Sequence, residues 1–66
     1  MRVTVNGKKE EIAGQINLLE FLAAKKIDPE KVVVELNMTI IEKHILADTM
    51  IQEKDRIEIL QFVGGG

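Results

Sequence analysis

Met1-Arg2-Val3-Thr4-Val5-Asn6-Gly7-Lys8-Lys9-Glu10-Glu11-Ile12 is the stretch that decides the fold. Met1, Val3 and Val5 alternate with Arg2, Thr4 and Asn6, the period-two pattern of a strand with one buried face. Asn6-Gly7 follows, and the pair suits a type I′ turn because both central positions of that turn need positive φ. Lys8 to Ile12 is then the return strand. Its charge fits an edge position, where lysine and glutamate discourage pairing with other chains. Such a hairpin needs a second layer over its apolar face.

The next segment supplies that layer. Ala13-Gly14-Gln15 breaks the alternation, and Asn17 with Glu20 three residues later forms the pattern of a helix capping box. Leu18, Phe21 and Leu22 fall at i, i+3 and i+4, which gives one apolar face to a helix from about Leu18 to Lys26. Lys25 and Lys26 stand in the last turn of that predicted helix, at its negative end. Pro29 stops any continuation and biases Asp28 away from helical geometry.

Val32 to Leu36 is β-branched and reads as a strand, with Val32, Val34 and Leu36 on one face and Asn37 at its end. Met38 to Leu46 is ambiguous: Thr39-Ile40-Ile41 suits a short strand and Glu42-Lys43-His44 a turn. Asp48 is expected to cap one turn over Thr49 to Gln52, and Gln52-Glu53-Lys54-Asp55 reads as a further turn. Arg56 to Val63 is the last strand, with Ile57 and Ile59 on one face and Glu58, Leu60 and Phe62 on the other. A hairpin, one main helix and further strands make an α+β fold: a mixed sheet of four to five strands with the helix packed across it. The first and last strands can lie side by side and parallel in the middle. That is the β-grasp, or ubiquitin-like, arrangement.

Composition narrows the function classes. Sixty-six residues suffice for one domain with a marginal core. At 45% hydrophobic and 30% charged the chain is globular rather than disordered. Without cysteine there is no disulfide, thiol nucleophile or thiolate metal site. The net charge is −2 and the basic residues are dispersed, with two Phe and neither Trp nor Tyr, which argues against nucleic-acid binding. No apolar run approaches the roughly 20 residues of a membrane span, and Met1 to Val5 alternates where a signal peptide would be continuously apolar. A soluble, cytoplasmic protein is expected.

Catalysis by the chain alone is not expected. His44, beside Lys43 and Glu42, reads as a solvated side chain. Glu10, Glu11, Glu53, Asp55 and Glu58 read as solvated faces, with no cleft to pair them for acid–base work. Gly64-Gly65-Gly66 precedes no helix that would make it a phosphate loop. The remaining candidate is the end itself, Phe62-Val63-Gly64-Gly65-Gly66. Residues 1–63 are read as the folded domain and 64–66 as a flexible tail, narrow enough to thread where a Cβ would clash. A carboxylate at Gly66 becomes reactive once a partner enzyme converts it to a mixed anhydride. Ordering the glycines costs roughly 1–2 kcal/mol each, so the folded body must supply the docking energy. Phe62, Val63, Leu60 and Val33 are the candidate partner-binding residues, as an apolar patch directly upstream of the tail. A bulge turning Leu60 or Phe62 into the core is the competing arrangement.

With Asn6-Gly7-Lys8 at the first turn, Val32-Val33-Val34-Glu35-Leu36-Asn37 in the middle and Phe62-Val63-Gly64-Gly65-Gly66 at the end, the chain resembles the ThiS family. These are the sulfur carriers of thiamin (thiazole) biosynthesis, and the resemblance spans the whole chain. It implies that an E1-like, ThiF-like enzyme using ATP and magnesium adenylates the Gly66 carboxylate. Sulfur from a donor such as a cysteine desulfurase then displaces AMP to leave a thiocarboxylate, which thiazole synthase (ThiG) consumes. Gly65 and Gly66 match the carrier diglycine, and Gly64 is extra lead-in. The chain itself would be a carrier that binds no cofactor or metal, any zinc belonging with the partners. Met38-Thr39 departs from the family, where this turn is often polar or charged. The small subunit of molybdopterin synthase, carriers for cysteine, methionine or tRNA thiolation, and a non-conjugating β-grasp interaction module are the alternatives. The short length favours the thiamin role over the first of these.

Overall fold

In a computed structural model that describes residues 1–62, the N-terminal stretch forms the expected hairpin. β1 (Arg2–Val5) pairs antiparallel with β2 (Lys8–Glu11), and Val3 and Val5 are buried. Asn6 and Gly7 carry φ of 49° and 83°, the left-handed pair that a type I′ turn requires. Ile12, expected within the strand, lies just past it, donates its N–H to the Met1 carbonyl and is buried.

Helix α1 (Leu18–Ala24) begins with the complete capping box. The Asn17 side chain accepts from the Glu20 N–H at 2.8 Å, and the Glu20 carboxylate accepts from the Asn17 N–H at 3.0 Å. Leu18, Phe21 and Leu22 are the buried face. The helix is shorter than predicted, so Lys25 and Lys26 stand beyond its last turn instead of within it. Lys25 is the C-cap, and Lys26 turns into the left-handed region at φ 60°. The Lys26 N–H then reaches the Ala23 carbonyl and the Ile27 N–H the Leu22 carbonyl, the paired bonds of a Schellman ending.

Asp28 is extended as expected, and its carboxylate accepts from the Glu30 N–H to start a 3-10 turn over Pro29–Lys31. β3 (Val32–Leu36) follows, then β4 (Thr39–Ile41), which resolves the ambiguous segment as a short strand. Glu42-Lys43-His44 is not a separate turn. Lys43–Asp48 forms one 3-10 segment that presses Leu46 into the core. Asp48 closes that segment and caps nothing over Thr49 to Gln52. Instead the Thr49 hydroxyl donates back to the Ile45 carbonyl, and Met50 bridges to Asn17. The turn at Gln52–Asp55 is as read, closed by the Asp55 carboxylate on the Gln52 N–H. β5 runs Arg56–Gln61, and Phe62 extends its pairing by one N–H to the Lys31 carbonyl.

The sheet order is β2-β1-β5-β3-β4. β5 is parallel to β1 and antiparallel to β3, so the last strand fills the centre between two hairpins. α1 covers one face, where Leu18, Leu22, Ile57 and Val3 are fully buried. Burying each of the three larger side chains contributes about 1.5–3 kcal/mol. The other face is open.

Candidate docking face and the strand leading to the tail

Alternation along β5 decides what the open face presents. Ile57 goes under α1, so Glu58 and Leu60 point the other way, which decides between the two arrangements open to Leu60 from the sequence. The register places Leu60 opposite Val33, and Glu58 opposite Glu35. Glu35 in turn is opposite Ile40 on β4. Leu60 is 51% exposed, Phe62 61% and Ile40 62%, with no bulge turning them inward. Phe62, Val33 and Ile40 border one shallow hollow of about 210 Å³, which also touches Pro29 and Leu46. Leu60 borders another with Met38, which is 86% exposed. Apolar side chains therefore stand on β5, β3 and β4 along this face, with Glu35, Arg56 and Glu58 among them.

The other half of this face is polar. Arg2, Thr4, Lys9 and Glu11 occupy it, with Arg2 and Glu11 paired at 3.3 Å in solvent. Such an exposed pair is worth about 0–1 kcal/mol. The apolar half has its own charges, Glu35 and Glu58, held side by side by the register. Like charges directly opposite on neighbouring strands repel. Arg56, on the same face, lines one hollow with both carboxylates.

Phe62, Leu60 and Val33 are thus brought together on one surface. Val63, Gly64, Gly65 and Gly66, the remaining candidate residues, lie outside the described residues, as does the proposed boundary between domain and tail. Ile40 and Met38 belong to the same surface and do not follow from the sequence. Ile40 faces outward only once the β3–β4 register is known, and Met38 only once the turn before β4 is seen to be tight. His44 is exposed, its Nδ1 3.6 Å from a Glu42 carboxylate oxygen. Among the described residues no three His, Asp or Glu side chains gather as metal ligands, and no helix is long and apolar enough to cross a membrane.

The strand order, the parallel central pair and the single covering helix define a β-grasp domain of the ubiquitin-like class. The chain belongs to the ThiS family, whose model matches residues 3–66. It superposes on the crystal structure of the thiamine biosynthesis protein ThiS from Geobacter metallireducens with a TM-score of 0.87 and 39% identity, each chain covered completely. Its sequence is 30% identical over 66 residues to a thiazole synthase of Paramagnetospirillum magneticum. The chain spans about a fifth of the length of the thiazole synthase relatives it matches. An uncharacterized protein of Porphyra purpurea is 27% identical over 64 residues, which make up 90% of that protein.

Proposed function

We propose that the protein is a sulfur carrier for thiazole formation in thiamin biosynthesis, with the Gly66 carboxylate as the group activated. The observation that carries this reading is the sequence of tasks along one strand. β5 is fixed at the centre of the sheet, exposes Leu60 and Phe62, and leads directly into Val63 and the glycines. Support also comes from the family match and from the likeness to a thiamine biosynthesis protein over the whole chain.

An E1-like adenylating enzyme seats the apolar half of the open face against Val33, Ile40, Leu60 and Phe62. Gly64 and Gly65 thread into its active site, and the Gly66 carboxylate attacks the α-phosphorus of ATP, releasing pyrophosphate. A persulfide from a donor such as a cysteine desulfurase attacks the acyl adenylate and displaces AMP to leave an acyl disulfide. A second thiol cleaves that bond, ending in a disulfide with the first as the thiocarboxylate is released to thiazole synthase. ATP and magnesium enter with the activating enzyme, and the reaction belongs to the cytoplasm. The carrier contributes position and the acyl group, and the partners contribute the catalysis.

The test is intact-mass analysis after incubation with ATP, magnesium and a ThiF-like enzyme from the same cell. The expected product carries one AMP, and addition of a sulfur donor exchanges one oxygen for sulfur. Absence of both adducts with every such enzyme would sink the reading. Deleting Gly65 and Gly66 should abolish both products and leave thermal unfolding nearly unchanged, whereas a large loss of stability would make the tail structural. Phe62→Ala should raise the KM for the activating enzyme without a comparable fall in stability.

A further inference from the structure

A second surface lies on the helix-covered side of the sheet, at the end where β5 runs out. A groove of about 620 Å³ opens there between the C-terminal end of α1, the β1–β2 turn and the start of β3. Its floor is apolar, with Ile27 and Ile59. Its rim carries Lys8, Lys25, Lys26 and Lys31 against two carboxylates, a local excess of positive charge in a chain of net charge −2. Both carboxylates are already engaged. Glu10 holds Lys25 at 2.9 Å, and Asp28 accepts from the Glu30 N–H. Among the described residues, Lys8, Lys26 and Lys31 have no ion-pair partner.

Lys26 occupies the left-handed position that ends α1, as Lys54 does in the turn before β5, so its backbone follows from the helix ending and its charge is left to the rim of the groove.

We propose that this groove docks an acidic, partly apolar segment of a partner protein, alongside the path by which β5 reaches the tail. Charge complementarity selects acidic side chains for the rim, and the Ile27–Ile59 floor selects apolar ones between them. A compact phosphate fits less well. The lysines line a groove that also presents Ile27 and Ile59, which suits a segment with apolar side chains between its charges. The groove and the apolar patch lie on opposite faces of the sheet, so a partner using both would grip β5 from two sides. The proposal does not rest on the carrier reading, since a chain that fails to be adenylated can still bind such a segment.

The probe is a short capped peptide with glutamate at every second position and leucine or serine between, titrated into the isotope-labelled chain by NMR. Amide shifts are expected at Lys8, Lys26, Ile27, Lys31 and Gln61, with binding that weakens as salt rises. Combining Lys8→Gln, Lys26→Gln and Lys31→Gln should weaken binding roughly tenfold. Lys26→Gly should weaken it while raising Tm, which separates lost charge from lost fold. Shifts centred on Arg2, Lys9 and Arg56 of the open face would overturn the proposal. So would equal binding of the same peptide with glutamine for glutamate, or equal shifts from inorganic phosphate at the same concentration.

Discussion

The two hairpins end in the same turn built from different residues. Asn6-Gly7 and Asn37-Met38 both carry two positive φ angles, 49° and 83° in the first, 51° and 72° in the second. In both, the asparagine side chain reaches into β5. The Asn6 Oδ1 accepts from the Ile59 N–H at 2.8 Å, where β1 has ended and offers no carbonyl. The Asn37 Oδ1 accepts from the Arg56 N–H at 2.9 Å, and its Nδ2 donates to the Asp55 carboxylate at 3.0 Å. Turn asparagines therefore clamp the central strand at two points, its first residue Arg56 and its middle at Ile59. The turns differ at their second position, where glycine adopts positive φ freely and methionine does so at roughly 1–2 kcal/mol. Asparagine at the first position of both turns ties the turn to β5, and glycine at the second is the less strained solution.

Ile57→Ala, in the strand both turns hold, should have the largest effect. It removes a fully buried side chain and should cost about 2–5 kcal/mol, enough to unfold much of a domain this small. Chemical denaturation measures it, and a cost below that range would mean the core closes over the gap. Replacing each asparagine by glycine comes next, because it preserves the turn and removes only the clamp. Asn37→Gly loses two side-chain hydrogen bonds and should cost roughly 1–3 kcal/mol, more than Asn6→Gly, which loses one. Equal losses would break the claim that the clamps act through those bonds. Gly7→Ala meets no atom within 4 Å of the added Cβ, so its cost should be backbone strain alone, about 1 kcal/mol. The smallest change runs the other way. Met38→Gly should stabilise the fold by roughly 0.5 kcal/mol, the relief of strain less the extra freedom gained by the unfolded chain. A fall in Tm would show that exposed Met38 contributes packing that its 86% exposure hides.

The same contrast explains what the sequence made legible. Asn6-Gly7 announces its turn because glycine is the residue that positive φ selects, and the hairpin, sheet and edge position follow from it. Asn37-Met38 forms the same turn without the signal, since nothing about methionine suggests left-handed backbone. Placing a turn there does not fix its type, so the register of β4 and the outward setting of Ile40 do not follow from the sequence. The 3-10 segment at Lys43–Asp48 failed for a related reason. It is anchored in the core by Leu46 alone, and one buried residue makes no periodicity. α1 was clear because its cap and apolar face agree, and only its end was misplaced, at a lysine standing where glycine usually marks the stop. Phe62 is legible from strand alternation, whereas the outward setting of Leu60 and the place of Val33 beside it follow from the register of β5 and β3.

The position of β5 between the hairpins governs the order in which the molecule can be assembled. Residues 2–11 and 32–41 form two ribbons that share no edge until residues 56–61 are inserted between them. Pairing residue 4 with residue 56 closes nearly the whole chain into a loop, a slow step compared with local hairpin closure. Val33, Ile40 and Leu60 become neighbours only when that insertion is complete. Any protein that recognises the three together is reading a finished molecule and will pass over a nascent, nicked or misfolded one.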